Sequence, residues 1–188
     1  MAIKKLQTNQ KMGELPQDYY LRGFAEVRNC WITSGAPVEF LYAMDLYPVY
    51  PENHGALMGA AKVGPQYARI AEKEGFSQDL CSYARSDVGS AISRDSPVGG
   101  LPKPSFLFSC NNICNTVVKW YQVLSRMFKV PHFLLDTPFV RKEVKESHID
   151  YVESQLYDFV DFLEVMTGDE FDKSKFSETV LRSIEGIK

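Results

Sequence analysis

The stretch SFLFSCNNICNTVVKWYQ at residues 105–122 decides the fold that this 188-residue sequence predicts. Its beginning, residues 105–109, is an apolar run that favours a short buried strand, and a helix is predicted from Asn115 onward. Cys110 and Cys114 lie at the junction between the two. Open parallel sheets bind ligands where strand ends and helix N-termini meet, and the positive end of a helix dipole favours a thiolate. The stretch therefore predicts an α/β fold with a site at this turn.

The composition is that of an ordinary globular protein, with 45% hydrophobic and 24% charged residues. The net charge of -3 argues against nucleic acid as a partner. No apolar run approaches the roughly 18 residues that a membrane span needs, and the N-terminal sequence MAIKKLQTNQ lacks the apolar region of a signal peptide. We therefore expect a cytoplasmic protein without membrane contact, in which the four cysteines are thiols, metal ligands or catalytic groups rather than disulfides.

The remaining sequence alternates between helical and extended patterns. Residues 1–16 are polar and are predicted to form a flexible N-terminal arm. The pattern then predicts helices at 17–30, 38–44, 66–74, from 79 onward, 115–129 and 142–166, a last helix capped by Asp172, and strands at 46–49, 105–109 and 132–135. Strands joined by helices of this length imply a parallel sheet with right-handed crossovers. Residues 17–188 are thus predicted to form a small parallel sheet flanked by helices, with an additional helical segment at the N-terminus.

Cys81 and Cys114 are the candidate metal ligands. Cys81 lies at a predicted helix start and Cys114 at the strand-to-helix turn. Two soft thiolates presented in this way suit iron–sulfur or zinc binding, although buried inert cysteines would give the same pattern. Two ligands are too few for a closed four-coordinate site, so others would come from another chain, a missing region or the substrate. Cys30 and Cys110 are predicted to be small core residues.

Glu52 and His54 are the candidate acid–base groups. They follow the first predicted strand, so in a parallel sheet they would emerge at the same edge as Cys114. A carboxylate and an imidazole there suit general acid–base chemistry. The alternative is a polar turn in which Glu52 is solvated and His54 caps a backbone carbonyl. Arg85 and Lys119 could bind an anion nearby, but a solvated helix face explains them equally well.

Several segments, taken in order, resemble the 2-hydroxyacyl-CoA dehydratase and benzoyl-CoA reductase family. They are SGAPVEFLYAMDLYPVYPENH at 34–54, CSYAR at 81–85 and SCNNICNTVVKWY at 109–121. The resemblance covers roughly residues 17–185. Within it, PVYPENH and CNNICN are most similar to the B-type subunit of benzoyl-CoA reductase.

The resemblance implies a 4Fe-4S cluster held by three cysteines, with Cys81 and Cys114 in the places of the first two. The third ligand is expected in a second Rossmann-like domain that follows the region present here. Residues 17–188 would then be the Rossmann-like N-terminal domain of such a subunit, without the C-terminal domain of the family. Ser34 and Glu52 match positions near the open iron site, and His54, from the PENH segment, is a hypothetical proton donor.

The activity that this resemblance implies is one-electron radical chemistry on an acyl-CoA thioester in anaerobic metabolism. The enzyme would be a 2-hydroxyacyl-CoA dehydratase, which is a lyase, or a benzoyl-CoA reductase, which is an oxidoreductase. Its implied partners are a related subunit and an ATP-dependent iron–sulfur activator protein. Two alternatives remain: a truncated paralogue that acts as a scaffold, and a zinc-binding module that uses Cys81, Cys114 and His54.

Overall fold

Four parallel strands form the centre of this computed structural model, which describes residues 7–25, 28–96 and 99–187. In chain order the described residues form α1 (Gln7–Ala25), β1 (Asn29–Ile32), α2 (Glu39–Ala43), β2 (Tyr47–Val49), α3 (Pro51–Ala60), α4 (Gly64–Lys73), α5 (Ser82–Ser93), β3 (Phe106–Cys110), α6 (Asn115–Phe128), β4 (His132–Leu135), α7 (Glu146–Thr167) and α8 (Lys173–Ile187). None of these helices is both long enough and apolar enough to cross a membrane.

The strands are ordered β2-β1-β3-β4, and each neighbouring pair is parallel. Trp31 of β1 is in register with Val49 of β2 and with Leu107 of β3. Cys110 at the end of β3 is in register with Leu135 at the end of β4. The predicted α/β class with a small parallel sheet flanked by helices is therefore confirmed.

Side chains alternate along the strands and pack against helices on both faces of the sheet. On one face, Phe108 stacks on Phe159 of α7 with ring centroids 3.9 Å apart. On the other face, Leu107 packs in one cluster with Val88 of α5 and Leu124 of α6. Burial on both faces explains why the strands are largely apolar, as is typical of parallel sheets.

The central strand β1 was missed because the sequence predicted a helix over 17–30. All four of its residues, NCWI, are buried. A strand that is buried on both faces has no alternation of polar and apolar residues, so the short apolar run was indistinguishable from the end of the preceding amphipathic helix. The sheet has four strands among the described residues, not the predicted three.

Other element boundaries moved by a few residues. The first helix begins at Gln7, so residues 7–16, assigned above to a flexible arm, are helical, and residues 1–6 lie outside the described ranges. Their Gln, Lys, Met, Glu and Leu residues are strong helix formers. The segment 52–54, expected as a polar turn, is the first turn of α3, because Pro51 suits the start of a helix.

The second half of the chain was predicted more accurately. The helix from Asn115 and the strand at His132–Leu135 were expected at these positions, and both are confirmed. Asp172 caps α8 as predicted, since its Oδ1 accepts a hydrogen bond of 2.9 Å from the backbone N–H of Lys175. Turn and capping residues in the local sequence mark the ends of these elements, and the structure agrees with them.

The close packing of α4 on α5 depends on a glycine. A Cβ atom added to Gly89 of α5 would lie 1.9 Å from the backbone oxygen of Tyr67 in α4. Since both groups belong to helix backbones, no side-chain rotation relieves the clash. Gly89 therefore sets the separation of α4 and α5.

We expect Gly89→Ala to lower the free energy of unfolding by more than the roughly 1–3 kcal/mol of an ordinary overpacked core. Gly59→Ala is the matched control, because nothing lies within 4 Å of a Cβ there. The control should gain up to about 1 kcal/mol from the better helix propensity of alanine. Urea unfolding of both variants tests the prediction, and an unchanged midpoint for Gly89→Ala would contradict it.

Candidate functional site

The carboxyl ends of the four strands bring the candidate residues to one edge of the sheet. Thr33 and Ser34 follow β1, and Glu52 lies in the first turn of α3, just after β2. The loop 111–114 follows β3, and Asp136 follows β4. This edge is where parallel α/β sheets bind their ligands.

Cys81 and Cys114 occupy equivalent positions in two neighbouring helices. Cys81 is the N-cap of α5 and Cys114 is the N-cap of α6, and both residues are exposed. Within the described residues, neither side chain makes a capping hydrogen bond. An N-cap normally satisfies a free N–H group with a side-chain oxygen, so cysteine at this position leaves positively polarised N–H groups beside the sulfur. These positions suit a thiolate that binds a metal centre.

The other two cysteines belong to the core, as predicted. Cys30 and Cys110 are both fully buried. Burial raises the pKa of the Cys110 thiol to about 11, and the nearby charge of Glu52 contributes. The Cys110 thiol donates a hydrogen bond of 2.7 Å to Oδ1 of Asn112. Its role is therefore to fill the end of β3 and to hold the loop that leads to Cys114.

The loop before Cys114 is fixed by asparagine side chains. Oδ1 of Asn111 accepts hydrogen bonds from the backbone N–H and the hydroxyl of Thr137, each 2.7 Å long, and its amide donates to Asp136. The side-chain amide of Asn112 donates to the backbone oxygen of Gly35 at 3.3 Å. A Cβ at Gly35 would lie 2.8 Å from Asn112 Oδ1, so glycine permits this close approach. The loop is tied to its neighbours on both sides.

The turn before Cys81 is fixed by Arg85. Its Nε donates to the backbone oxygen of Leu80 at 3.0 Å, and its guanidinium also pairs with Glu72 of α4. The start of α5 also packs against α3, where a Cβ added to Gly55 would lie 3.0 Å from Cβ of Tyr83. Arg85 therefore orients the chain around Cys81 rather than serving as an open anion-binding group.

Glu52 is held by hydrogen bonds to both of its carboxylate oxygens. Oε1 accepts a bond from the hydroxyl of Thr33 and a long bond of 3.4 Å from the backbone N–H of Ser34. The Tyr121 hydroxyl donates to Oε2 at 3.1 Å. Burial raises the pKa of Glu52, while these donors partly lower it again. A carboxyl with a raised pKa and a fixed orientation suits proton transfer.

His54 is separated from this group in the structure. It is only 1% exposed, and its Nδ1 lies 2.9 Å from Oδ1 of Asp87 while its Nε2 lies 2.9 Å from the hydroxyl of Ser96. Both ring nitrogens are engaged with side chains, so His54 does not cap a backbone carbonyl as one alternative proposed. Across residues 7–25, 28–96 and 99–187, no three His, Cys, Asp or Glu side chains form a group that could hold a metal ion. The hypothetical zinc site of Cys81, Cys114 and His54 is therefore not assembled.

Four contacting residues escaped the sequence analysis as site residues: Thr33, Asn111, Tyr121 and Asp87. Thr33 directly follows β1, which was mistaken for helix, so its place at the sheet edge was hidden. Asn111 was visible between the two cysteines of the turn, where asparagine commonly makes local backbone bonds. Tyr121 and Asp87 lie far from Glu52 and His54 in sequence, and no local pattern indicates their contacts.

Residues 33–186 match the family described as 2-hydroxyglutaryl-CoA dehydratase, D-component. The chain belongs to this family. The match includes all the residues discussed above at the carboxyl edge of the sheet, and the resemblance noted from the motifs is confirmed.

Relatives of this chain include subunits of enzymes of both expected types. It is 40% identical over 156 residues to the (R)-2-hydroxyisocaproyl-CoA dehydratase alpha subunit of Clostridioides difficile, covering 82% of this chain and 38% of that protein. It is 37% identical to the (R)-phenyllactyl-CoA dehydratase alpha subunit of Clostridium sporogenes, covering 84% and 39%. It is 26% identical to the B-type subunit of benzoyl-CoA reductase from Thauera aromatica, covering 77% and 34%.

These values refine the expected relationship. Although two segments were judged most similar to the benzoyl-CoA reductase subunit, the overall identity is higher to the two dehydratase alpha subunits. The chain spans about two-fifths of the length of the curated dehydratase relatives that it matches.

We expect Tyr121→Phe to raise the pKa of Glu52 further, because it removes a donor that stabilises the charged carboxylate. The lost bond should also lower the unfolding free energy by about 1.5–3 kcal/mol. Carbon-13 NMR of labelled glutamate, followed through a pH titration, measures the shift. Tyr67→Phe is the matched control, since its hydroxyl donates to Asp95 at 3.1 Å and not to Glu52. A Glu52 titration that is the same in both variants would refute the assignment.

We expect the stability difference between Glu52→Gln and the parent to change with pH in a defined direction. The pKa of Glu52 is raised on folding above its ordinary value of 4.5, so its contribution to stability is complete below that pH. This contribution is lost as the pH rises through the folded pKa, whereas glutamine does not titrate. Glu52→Gln should therefore become relatively more stable as the pH increases, measured by urea unfolding with exposed Glu74→Gln as control. A trend of the opposite sign would contradict the raised pKa.

Proposed function

We propose that this chain is the N-terminal part, or a separate subunit, of an iron–sulfur enzyme that acts on an acyl-CoA thioester. The dehydration of a 2-hydroxyacyl-CoA is the favoured reaction, and aromatic ring reduction is the second candidate. The observation that carries the proposal is the pair of exposed cysteines, Cys81 and Cys114, at the N-caps of two neighbouring helices. The higher identity to the two dehydratase alpha subunits described above supports dehydration.

Cys81 and Cys114 would supply two thiolate ligands to a 4Fe-4S cluster. The donor set fits such a group in part, because soft thiolates suit iron and the helix N-termini favour the negative charge. When bound, the cluster would supply an electron at low potential and a Lewis-acidic iron for the thioester oxygen. A further ligand would come from outside the described residues, since they contain no group of three suitable side chains.

Glu52 would hold and transfer the proton that the reaction needs. Loss of water from a 2-hydroxyacyl group requires a proton on the departing hydroxyl and removal of another from carbon. Thr33 and Tyr121 keep the carboxyl in one orientation, and the raised pKa brings its proton affinity closer to that of a general acid. Ser34 is exposed beside Glu52, where its hydroxyl could orient the substrate. His54, which is buried against Asp87, would position α3 rather than donate a proton.

The proposed partners follow from the names of the relatives. Each of the three is named as a subunit, which supports a related subunit as the partner of this chain. An ATP-dependent iron–sulfur activator would deliver the electron, and the reaction would take place in the cytoplasm. Both the activator and the cytoplasmic location are inferred from the family to which the chain belongs.

A scaffold that pairs with a full-length subunit is the second candidate function. It is favoured by the presence of only two exposed thiols within the described residues. Such a protein would keep the fold and the partner interface without holding a cluster.

We expect iron and sulfide to bind when the chain is produced anaerobically together with a related subunit, and to be lost in Cys81→Ser and Cys114→Ser. Cys30→Ala is the control, because it removes a buried thiol that lies in the core. Chemical analysis of iron, sulfide and zinc in folded, purified protein gives the answer. Retention of iron in both serine variants would reject these ligands, and zinc without sulfide would contradict an iron–sulfur cluster. Absence of metal with and without the partner would favour the scaffold.

A further inference from the structure

One buried carboxylate connects the three helices that carry the candidate site. Asp87 of α5 is 2% exposed. Its Oδ1 lies 2.9 Å from Nδ1 of His54 in α3, and its Oδ2 accepts a hydrogen bond of 3.0 Å from Nε1 of Trp120 in α6. His54 and Trp120 are themselves 1% and 5% exposed. All three side chains are therefore almost completely buried.

The same three helices carry the candidate functional groups at or near their N-termini. Glu52 lies in the first turn of α3, Cys81 is the N-cap of α5, and Cys114 is the N-cap of α6. Each helix thus carries one candidate functional group at its N-terminus and one member of the buried network further along the helix. A displacement of one helix relative to another would move these functional groups apart.

We propose that Asp87 is a positioning residue that sets the separation of Cys81 and Cys114 by bonding α5 to α6 and to α3. The inference rests on the proposed function for what the two cysteines hold, but the positioning itself is a property of the chain alone. It also explains what His54, the hypothetical proton donor, does instead.

Physical chemistry favours a specific role for this network over simple packing. A buried carboxylate is costly unless donors satisfy it, and here two donors come from two different helices. Apolar contacts between α5 and α6 would tolerate sliding, whereas directional hydrogen bonds allow one arrangement. Burial raises the pKa of Asp87, while the bonds from His54 and Trp120 lower it, so the network offsets the cost of placing the carboxyl there.

The two exposed cysteines provide the measurement. Spin labels attached to Cys81 and Cys114 in the folded, metal-free chain report their separation, because Cys30 and Cys110 are buried and should remain unlabelled. Two labels per chain would check this selectivity. Double electron–electron resonance, or dipolar line broadening at shorter separations, gives the distribution of distances.

We expect Asp87→Asn and Trp120→Phe to broaden or shift the distance distribution relative to the parent. Trp31→Phe is the matched control, since Trp31 is similarly buried but donates its Nε1–H to the backbone oxygen of Pro102 at 2.9 Å. Its distribution should stay at the parent value. His54→Asn keeps a donor near the position of Nδ1. Its distance distribution should therefore be closer to that of the parent than the distribution of His54→Leu.

The distances in the variants support or overturn the positioning role of Asp87. Folded Trp120→Phe and His54→Leu variants with unchanged distances would overturn it, as would an equal change in Trp31→Phe. Should Asp87→Asn fail to fold, the Trp120 and His54 variants give the answer. Since no metal is needed for the distance measurement, a chain that binds no iron even with a related subunit but responds in this way would reject the proposed function and support the positioning role.

Discussion

The pairing of β1 with two parallel neighbours is the constraint on which the rest of the structure depends. This strand lies between β2 and β3, and all four of its residues are buried. Parallel neighbours cannot be joined by tight turns, so helices must return the chain across the faces of the sheet. As a result, the strands end at one edge and the helices that follow β2 and β3 begin there. The site is a consequence of this topology.

Two carboxyl groups, Glu52 and Asp87, differ in their surroundings and therefore in the roles that suit them. Glu52 has donors on both oxygens and lies beside exposed Ser34, which supports the proposed proton transfer to a ligand. Asp87 is 2% exposed, and its two carboxylate oxygens are bonded to His54 and Trp120. Both carboxyls have a pKa raised by burial, yet their surroundings suit them to different tasks. A partly buried carboxyl that a ligand can approach suits proton transfer. A buried carboxyl that is bonded only to other side chains suits the positioning of helices.

The accuracy of the sequence-based prediction followed the strength of local signals. The helix from Asn115, the strand at His132–Leu135 and the cap at Asp172 were correct because turn residues and periodicity agree there. The failures at β1 and at the start of α3 have the opposite cause. A fully buried strand has no alternation, and the segment after Pro51 is polar enough to look like a turn although it begins a helix.

The sequence by itself determined the family, the α/β class and the distinction between the two kinds of cysteine. These properties are carried by ordered motifs and by local hydrophobicity, and both can be recognised along the chain. Only the tertiary structure decided which groups meet. Tyr121 reaches Glu52, and Asp87 joins His54 to Trp120, across many intervening residues. Hydrogen bonds of this kind depend on how helices pack across the sheet, and that packing arises from the whole core rather than from any local pattern.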